Sequence, residues 1–219
     1  MKKYLLSTII ICGLCTHLSP IDVIIKHFSQ TEKNKTTSLC FYRKIIDSTA
    51  MPSRDKKELL QQINQDTEKF FTGIFPKNGK QFAAFDTQTN DLLGLLSINQ
   101  VKKNNQPVIL IGGPVVLDKH WKKGIGKKLL TYAIRECFKG YTFNDFYTQA
   151  VPCLYCMSSG LFCNLFGICS QCAYSWFIKQ GFTSNGIAID DTTGLPTPFS
   201  VLKLDKSKAR CVFLNKKNN

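Results

Sequence analysis

A chain of 219 residues, 43% of them hydrophobic, is long enough for one domain with a sizeable core, and the absence of an internal repeat or low-complexity tract excludes a repeat array. Its formal net charge of +14 points to a basic solvated surface or an acidic partner. Without an aromatic-basic RNA motif or a DNA-reading helix pattern, that charge does not make a nucleic-acid-binding protein.

The chain opens with Lys2 and Lys3 before an apolar run from Tyr4 to Cys15, with Gly13 and Cys15 at the −3 and −1 places of a cleavage point. Residues 1–15 therefore read as a signal-like segment that implies export or membrane targeting, or else as a plain apolar N-terminus. The run is shorter than the roughly 20 residues of a membrane span. Next come a strand over 21–28, a helix over 38–48 and a second helix over 53–75, whose start is marked by Pro52, Ser53 and Asp55. Strands over 81–86 and 92–101 are joined by the polar turn Thr87-Gln88-Thr89-Asn90.

The β-branched run from Val108 to Leu117 predicts a strand covered on both faces. It leads into Asp118-Lys119-His120-Trp121-Lys122-Lys123-Gly124-Ile125-Gly126-Lys127-Lys128, after which Leu129, Leu130, Ala133, Ile134 and Cys137 recur at helical spacing. Glycines here let a ligand reach the backbone, and the free amides and dipole of a helix start favour a phosphate or pyrophosphate. Lys122, Lys123, Lys127 and Lys128 add charge to the same place. The bland alternative is a solvated basic turn. A strand near 145–151, a helix from Ala173 and strands near 182–189 and 199–204 complete the order, and 206–219 reads as a basic tail.

A downstream segment, Ala173-Tyr174-Ser175-Trp176-Phe177-Ile178-Lys179-Gln180-Gly181-Phe182, joins the glycine turn in a pattern that resembles the GNAT superfamily of N-acetyltransferases. Gly124 and Gly126 fill the glycine places of its Q/R-x-x-G-x-G/A motif, and Ala173, Gly181 and Phe182 fill those of its second motif. Trp121 stands where the family usually has Gln or Arg, Asp118 where Pro is frequent, and Phe177 where a tyrosine often serves as general acid. The resemblance covers residues 21–205. It implies an α/β (α+β) GNAT fold, a mixed central sheet flanked by helices, with a cysteine-rich insertion, residues 152–172, before the last helix. It also implies acetyl-CoA as cosubstrate, held by Val115, Val116, Leu117, Lys122, Lys123, Gly124, Ile125, Gly126, Lys127 and Phe177. The acceptor is then an amine on a small molecule or peptide. A cytoplasmic location follows from acetyl-CoA use, against the export implied by the N-terminus.

The insertion carries Cys153-x-x-Cys156 and Cys169-x-x-Cys172, twelve residues apart, a spacing that suits tetrahedral zinc. Cys163 is a fifth candidate, and disulfides or buried free thiols are equally open readings. The insertion's large apolar residues also suit an acceptor lid or, with the N-terminal segment, membrane contact.

Acetyl transfer requires positioning, oxyanion stabilisation and protonation of the thiolate. No Asp or Glu occurs from Val108 to Leu117, which leaves Asp118 as a candidate base and Tyr174, one helical turn before Phe177, as a candidate acid. A capping role for Asp118 and a core role for Tyr174 compete with these. Two rival functions stand beside the enzyme: a non-catalytic CoA-binding protein on the same fold, and an exported cysteine-rich interaction module.

Overall fold

The computed structural model describes residues 21–29, 31–48, 79–150, 173–189 and 196–215, with separate helical positions between 53 and 64. Residues 1–15 and the insertion 152–172, with all five of its cysteines, lie outside the described residues.

Strand β1 (Val23–His27) precedes helix α1 (Glu32–Ser48). Thr31 caps that helix: its Oγ1 accepts from the Asn34 N–H at 3.2 Å and its carbonyl from the Lys35 N–H at 2.9 Å. Strands β2 (Gly79–Asp86), β3 (Leu92–Lys103) and β4 (Gln106–Val116) form an antiparallel meander. Asp86 Oδ1 accepts from the Gln88 and Thr89 amides at 2.8 and 3.1 Å, which closes the first turn as expected. The second is the two-residue loop Asn104-Asn105, both at positive φ, the geometry that suits strand twist in a tight hairpin.

Helix α2 (Ile125–Gly140) then crosses over to β5 (Asp145–Ala150), which pairs with β4 in parallel. Helix α3 (Ala173–Lys179), β6 (Thr183–Ile189) and β7 (Pro196–Asp205) follow. The result is one seven-stranded mixed sheet in the order β1-β2-β3-β4-β5-β7-β6.

β2 alternates across two layers. Phe82 and Ala84 join the larger core with Leu129, Leu130, Ala133, Ile134 and Cys137 of α2; Ala83 faces Phe41 of α1 together with Phe28, Leu95 and Leu117. Burying each large apolar side chain in these layers contributes roughly 1.5–3 kcal/mol. The segment expected to be a basic tail is helical from Lys206 through Leu214, with Ala209 and Phe213 buried four residues apart against the larger core.

Candidate active site

The site begins where two parallel strands part. β4 and β5 pair only from Ile109 opposite Phe146 to Ile111 opposite Thr148, where the buried Thr148 Oγ1 donates to the Ile111 carbonyl at 2.8 Å. β4 runs on to Val116, and among the described residues its last five have no β5 partner. Within that stretch the register against β3 slips by one: Leu95 opposes Val115, whereas Ser97 opposes Gly112. β4 therefore carries an extra residue at Gly113-Pro114, a bulge that bends the strand away from β5.

Past the bulge, backbone direction decides which residues are available to a ligand. The Leu117 N–H bonds to the Leu93 carbonyl at 3.3 Å, and Val115 opposes Leu95 in the same register, so 115 and 117 turn their polar groups toward β3. Val116 lies between them and turns its N–H and C=O the other way, into the gap. Of the three strand residues expected at the coenzyme, Val116 alone offers its backbone to that gap; Pro114, the next residue of the same parity, brings no N–H.

A short 3-10 turn, Asp118–His120, ends the strand, and Trp121 reaches back to donate its indole N–H to the Val116 carbonyl at 2.8 Å. Lys122 at φ 63° and Gly124 at φ 78° carry the chain into α2. The two motif glycines serve different ends. At Gly124 a Cβ would meet nothing within 4 Å, so the residue is needed for its left-handed backbone and leaves the loop open above it. At Gly126 a Cβ would sit 3.2 Å from Pro114 Cγ and 3.5 Å from Trp176 Cζ2, so its smallness lets the start of α2 pack on the bulge and on α3.

Helix geometry leaves the amides of Ile125, Gly126 and Lys127 without intrahelical acceptors, and intrahelical pairing starts with the Lys128 N–H on the Gly124 carbonyl at 3.0 Å. No acidic residue stands in the first turn, and Lys122, Lys123, Lys127 and Lys128 are exposed around it. Amide donors, a positive helix end and four ammonium groups give this place, at one end of the β4 gap, chemistry that suits an anion.

The candidate acid–base residues are placed less favourably. Phe177 is 3% exposed and joins the larger core, its ring 4.9 Å from that of Trp176 and 5.0 Å from that of Phe182. Tyr174 is half-buried and packs against that same core. Asp118 belongs to the 3-10 turn directly after β4. On the opposite layer Tyr42, which the sequence pattern did not single out, packs against the smaller core that includes Phe41 and Leu117, and burial pushes its pKa up to about 12. It therefore stays protonated through the physiological range. Cys137, buried in α2, is likewise held as a thiol, its pKa pushed up to about 12 by burial.

Among the described residues no group of three or more His, Cys, Asp or Glu is placed to hold a metal ion. The zinc candidates Cys153, Cys156, Cys169 and Cys172 lie outside those residues. No described helix is long and apolar enough to cross a membrane.

Residues 44–150 match the acetyltransferase (GNAT) family. No curated protein matches the chain. Solved structures similar in fold include an aminoglycoside 6'-acetyltransferase type Ii, with a TM-score of 0.56 at 14% identity over 83% of this chain and 96% of that one. An aminoglycoside 6'-N-acetyltransferase in complex with coenzyme A has a TM-score of 0.54 with the same identity and coverage. A GNAT-family acetyltransferase from Streptococcus pneumoniae has a TM-score of 0.52 at 14% identity over 84% of this chain and 99% of that one. At these identities the likeness is one of fold.

Proposed function

We propose that the chain, whose residues 44–150 match the acetyltransferase (GNAT) family, is a member of that family that binds acetyl-CoA along the gap between β4 and β5 and transfers the acetyl group to a small-molecule amine. The observation that carries this reading is the continuity of two features: a strand flank turned outward at Val116 and, directly after it, a basic helix start with open amides. A coenzyme with an amide-bearing arm and a pyrophosphate needs both, in that order.

In the transfer, the neutral amine attacks the thioester carbonyl carbon, a C–N bond forms and the C–S bond breaks. The amine gives up a proton, and the departing thiolate takes one from water or a neighbouring group. The outward Val116 N–H is a preorganised donor for a carbonyl of the bound coenzyme. With Phe177 in the core and no carboxylate on β4, positioning supplies most of the rate in this scheme. Those same two facts favour the second reading, a protein that binds the coenzyme without turnover.

The structural neighbours' aminoglycoside acceptors make a polyamino small molecule the first acceptor class to try. The test is release of free CoA thiol with a panel of aminoglycosides, polyamines, amino acids and lysine peptides. Acceptor-dependent release supports transfer, and tight acetyl-CoA binding with none supports the second reading. Zinc at Cys153, Cys156, Cys169 and Cys172 remains a proposal carried by ligand spacing, checked by elemental analysis of protein purified under reducing conditions. About one metal per chain, lost when Cys153 and Cys172 become Ser, is expected.

A further inference from the structure

Past the bulge, Val116 is the one β4 residue that offers the open flank both a donor and an acceptor, and half of that offer is already taken. Val116 turns both its N–H and its C=O away from β3, and an exposed strand flank of this kind accepts an extended, amide-bearing ligand as an added strand. Yet the Val116 carbonyl holds the Trp121 indole N–H at 2.8 Å. The ring that makes this bond is 49% exposed, so it is not fixed by burial in the core. It hangs from the loop that leads to the anion site, next to Lys122 at φ 63°. A side chain built to pack would bury its ring; this one spends its single donor on the carbonyl that faces the gap.

We propose that Trp121 stands in for the coenzyme arm: its indole N–H occupies the place on the Val116 carbonyl that an amide N–H of the pantetheine arm takes on binding, and the ring swings off as the arm enters. The proposal rests on the coenzyme reading given above. The exchange is balanced, since one N–H donor replaces another on the same acceptor and the Val116 carbonyl is satisfied in both states. A half-exposed ring has little packing to lose in leaving.

The exchange also gives Trp121 a part in specificity. A ligand that fills only the anion site leaves the indole where it is. A ligand with an arm has to displace it, and does so without loss only by placing an amide N–H on Val116. Trp121 thus discriminates at the arm and is silent toward the nucleotide half.

The test uses the full chain and its two tryptophans, Trp121 and Trp176. Acetyl-CoA and 3′-phospho-ADP, the nucleotide half without the arm, are titrated by calorimetry into wild type and Trp121→Phe, and intrinsic emission is followed in parallel. Phenylalanine keeps a ring but removes the donor. One net hydrogen bond corresponds to a factor of about 2–10, so Trp121→Phe should bind acetyl-CoA about 2–10-fold more tightly with 3′-phospho-ADP affinity unchanged. Acetyl-CoA should shift the tryptophan emission of wild type, and the shift should vanish in Trp121→Phe. Should that variant fail to fold, Trp176→Phe leaves Trp121 as the sole emitter and carries the emission test. Acetyl-CoA binding by calorimetry with no change in Trp121 emission, or with equal or weaker affinity in Trp121→Phe, overturns the proposal and leaves the coenzyme reading intact. Absence of binding heat for both ligands in every variant removes the coenzyme reading and the proposal with it.

Discussion

Thr148 Oγ1 bonds the Ile111 carbonyl at 2.8 Å at the last rung where β4 and β5 are paired. A buried hydroxyl at this point ties the strands together below the gap, while the bulge at Gly113-Pro114 carries β4 away above it. The gap is thus defined by a pin and a bend.

Thr148→Val keeps the shape of the side chain and removes the pin. One neutral buried hydrogen bond is worth about 1 kcal/mol. Differential scanning calorimetry should show a melting temperature lower by roughly 2–4 °C, the response expected of a chain this size. An unchanged melting temperature would mean that the hydroxyl does not bind the two strands.

Phe177→Tyr should destabilise the protein without raising turnover. The new hydroxyl would enter a core occupied by Trp176 and Phe182. An unpaired buried hydroxyl costs about 1–3 kcal/mol, read as a lower denaturation midpoint in urea. Unchanged stability together with faster CoA release would instead place that ring at the reacting sulfur.

Reversing charge at the helix start should weaken coenzyme binding and spare the fold. Lys123 and Lys127 are exposed, so Lys123→Glu with Lys127→Glu leaves packing intact and sets two negative charges beside the open amides. Acetyl-CoA affinity is expected to fall by about tenfold or more, and wild-type affinity to fall with added salt. Salt-independent binding would locate the pyrophosphate elsewhere.

The far end of the sheet predicts a pH dependence. Lys203 Nζ lies 2.9 Å from Asp205 Oδ1 and 3.3 Å from Asp145 Oδ2. The hydrogen bond to Lys203 holds the Asp205 carboxyl below its usual range, and the hydrogen bonds to Asp205 and then Asp145 raise Lys203 above its own. A depressed carboxylate contributes stability that is present above its unfolded value, near pH 3.9, and lost as pH falls through the folded one. The raised ammonium contributes stability present below about pH 10.4 and lost as pH rises through its folded value. Because the pair is partly open to solvent, screening keeps its worth at neutral pH below about 1 kcal/mol. Asp205→Asn should therefore flatten the acid limb of a urea-unfolding series below about pH 4 and barely alter the neutral plateau. Parallel acid limbs would show that the ion pair is not formed in solution.

The central strands were legible because β2, β3 and β4 are rich in apolar or β-branched residues and bounded by turn chemistry; β3 ends only two residues beyond the expected Val101. α1 begins at Glu32 rather than Ser38 because its first six residues, Glu32-Lys33-Asn34-Lys35-Thr36-Thr37, are polar throughout and the start is set by the Thr31 cap instead of by periodicity. The C-terminal helix was hidden for a related reason: Lys206, Lys208 and Arg210 dominate the count, while Ala209 and Phe213 do the packing. At the site, the glycine turn and its lysines could be read from the residues. The outward turn of Val116 could not, since it depends on a one-residue slip between β3 and β4 that leaves no mark in composition. The close approach of Gly126 to Trp176 likewise joins residues fifty positions apart.

If the β4 gap and the start of α2 form one coenzyme site, calorimetric titration of the full chain with acetyl-CoA should show saturable binding of one molecule per chain. Lys123→Glu with Lys127→Glu should weaken that binding at unchanged melting temperature. Absence of binding heat from folded wild-type protein, or equal affinity in that variant, would contradict a single coenzyme site there.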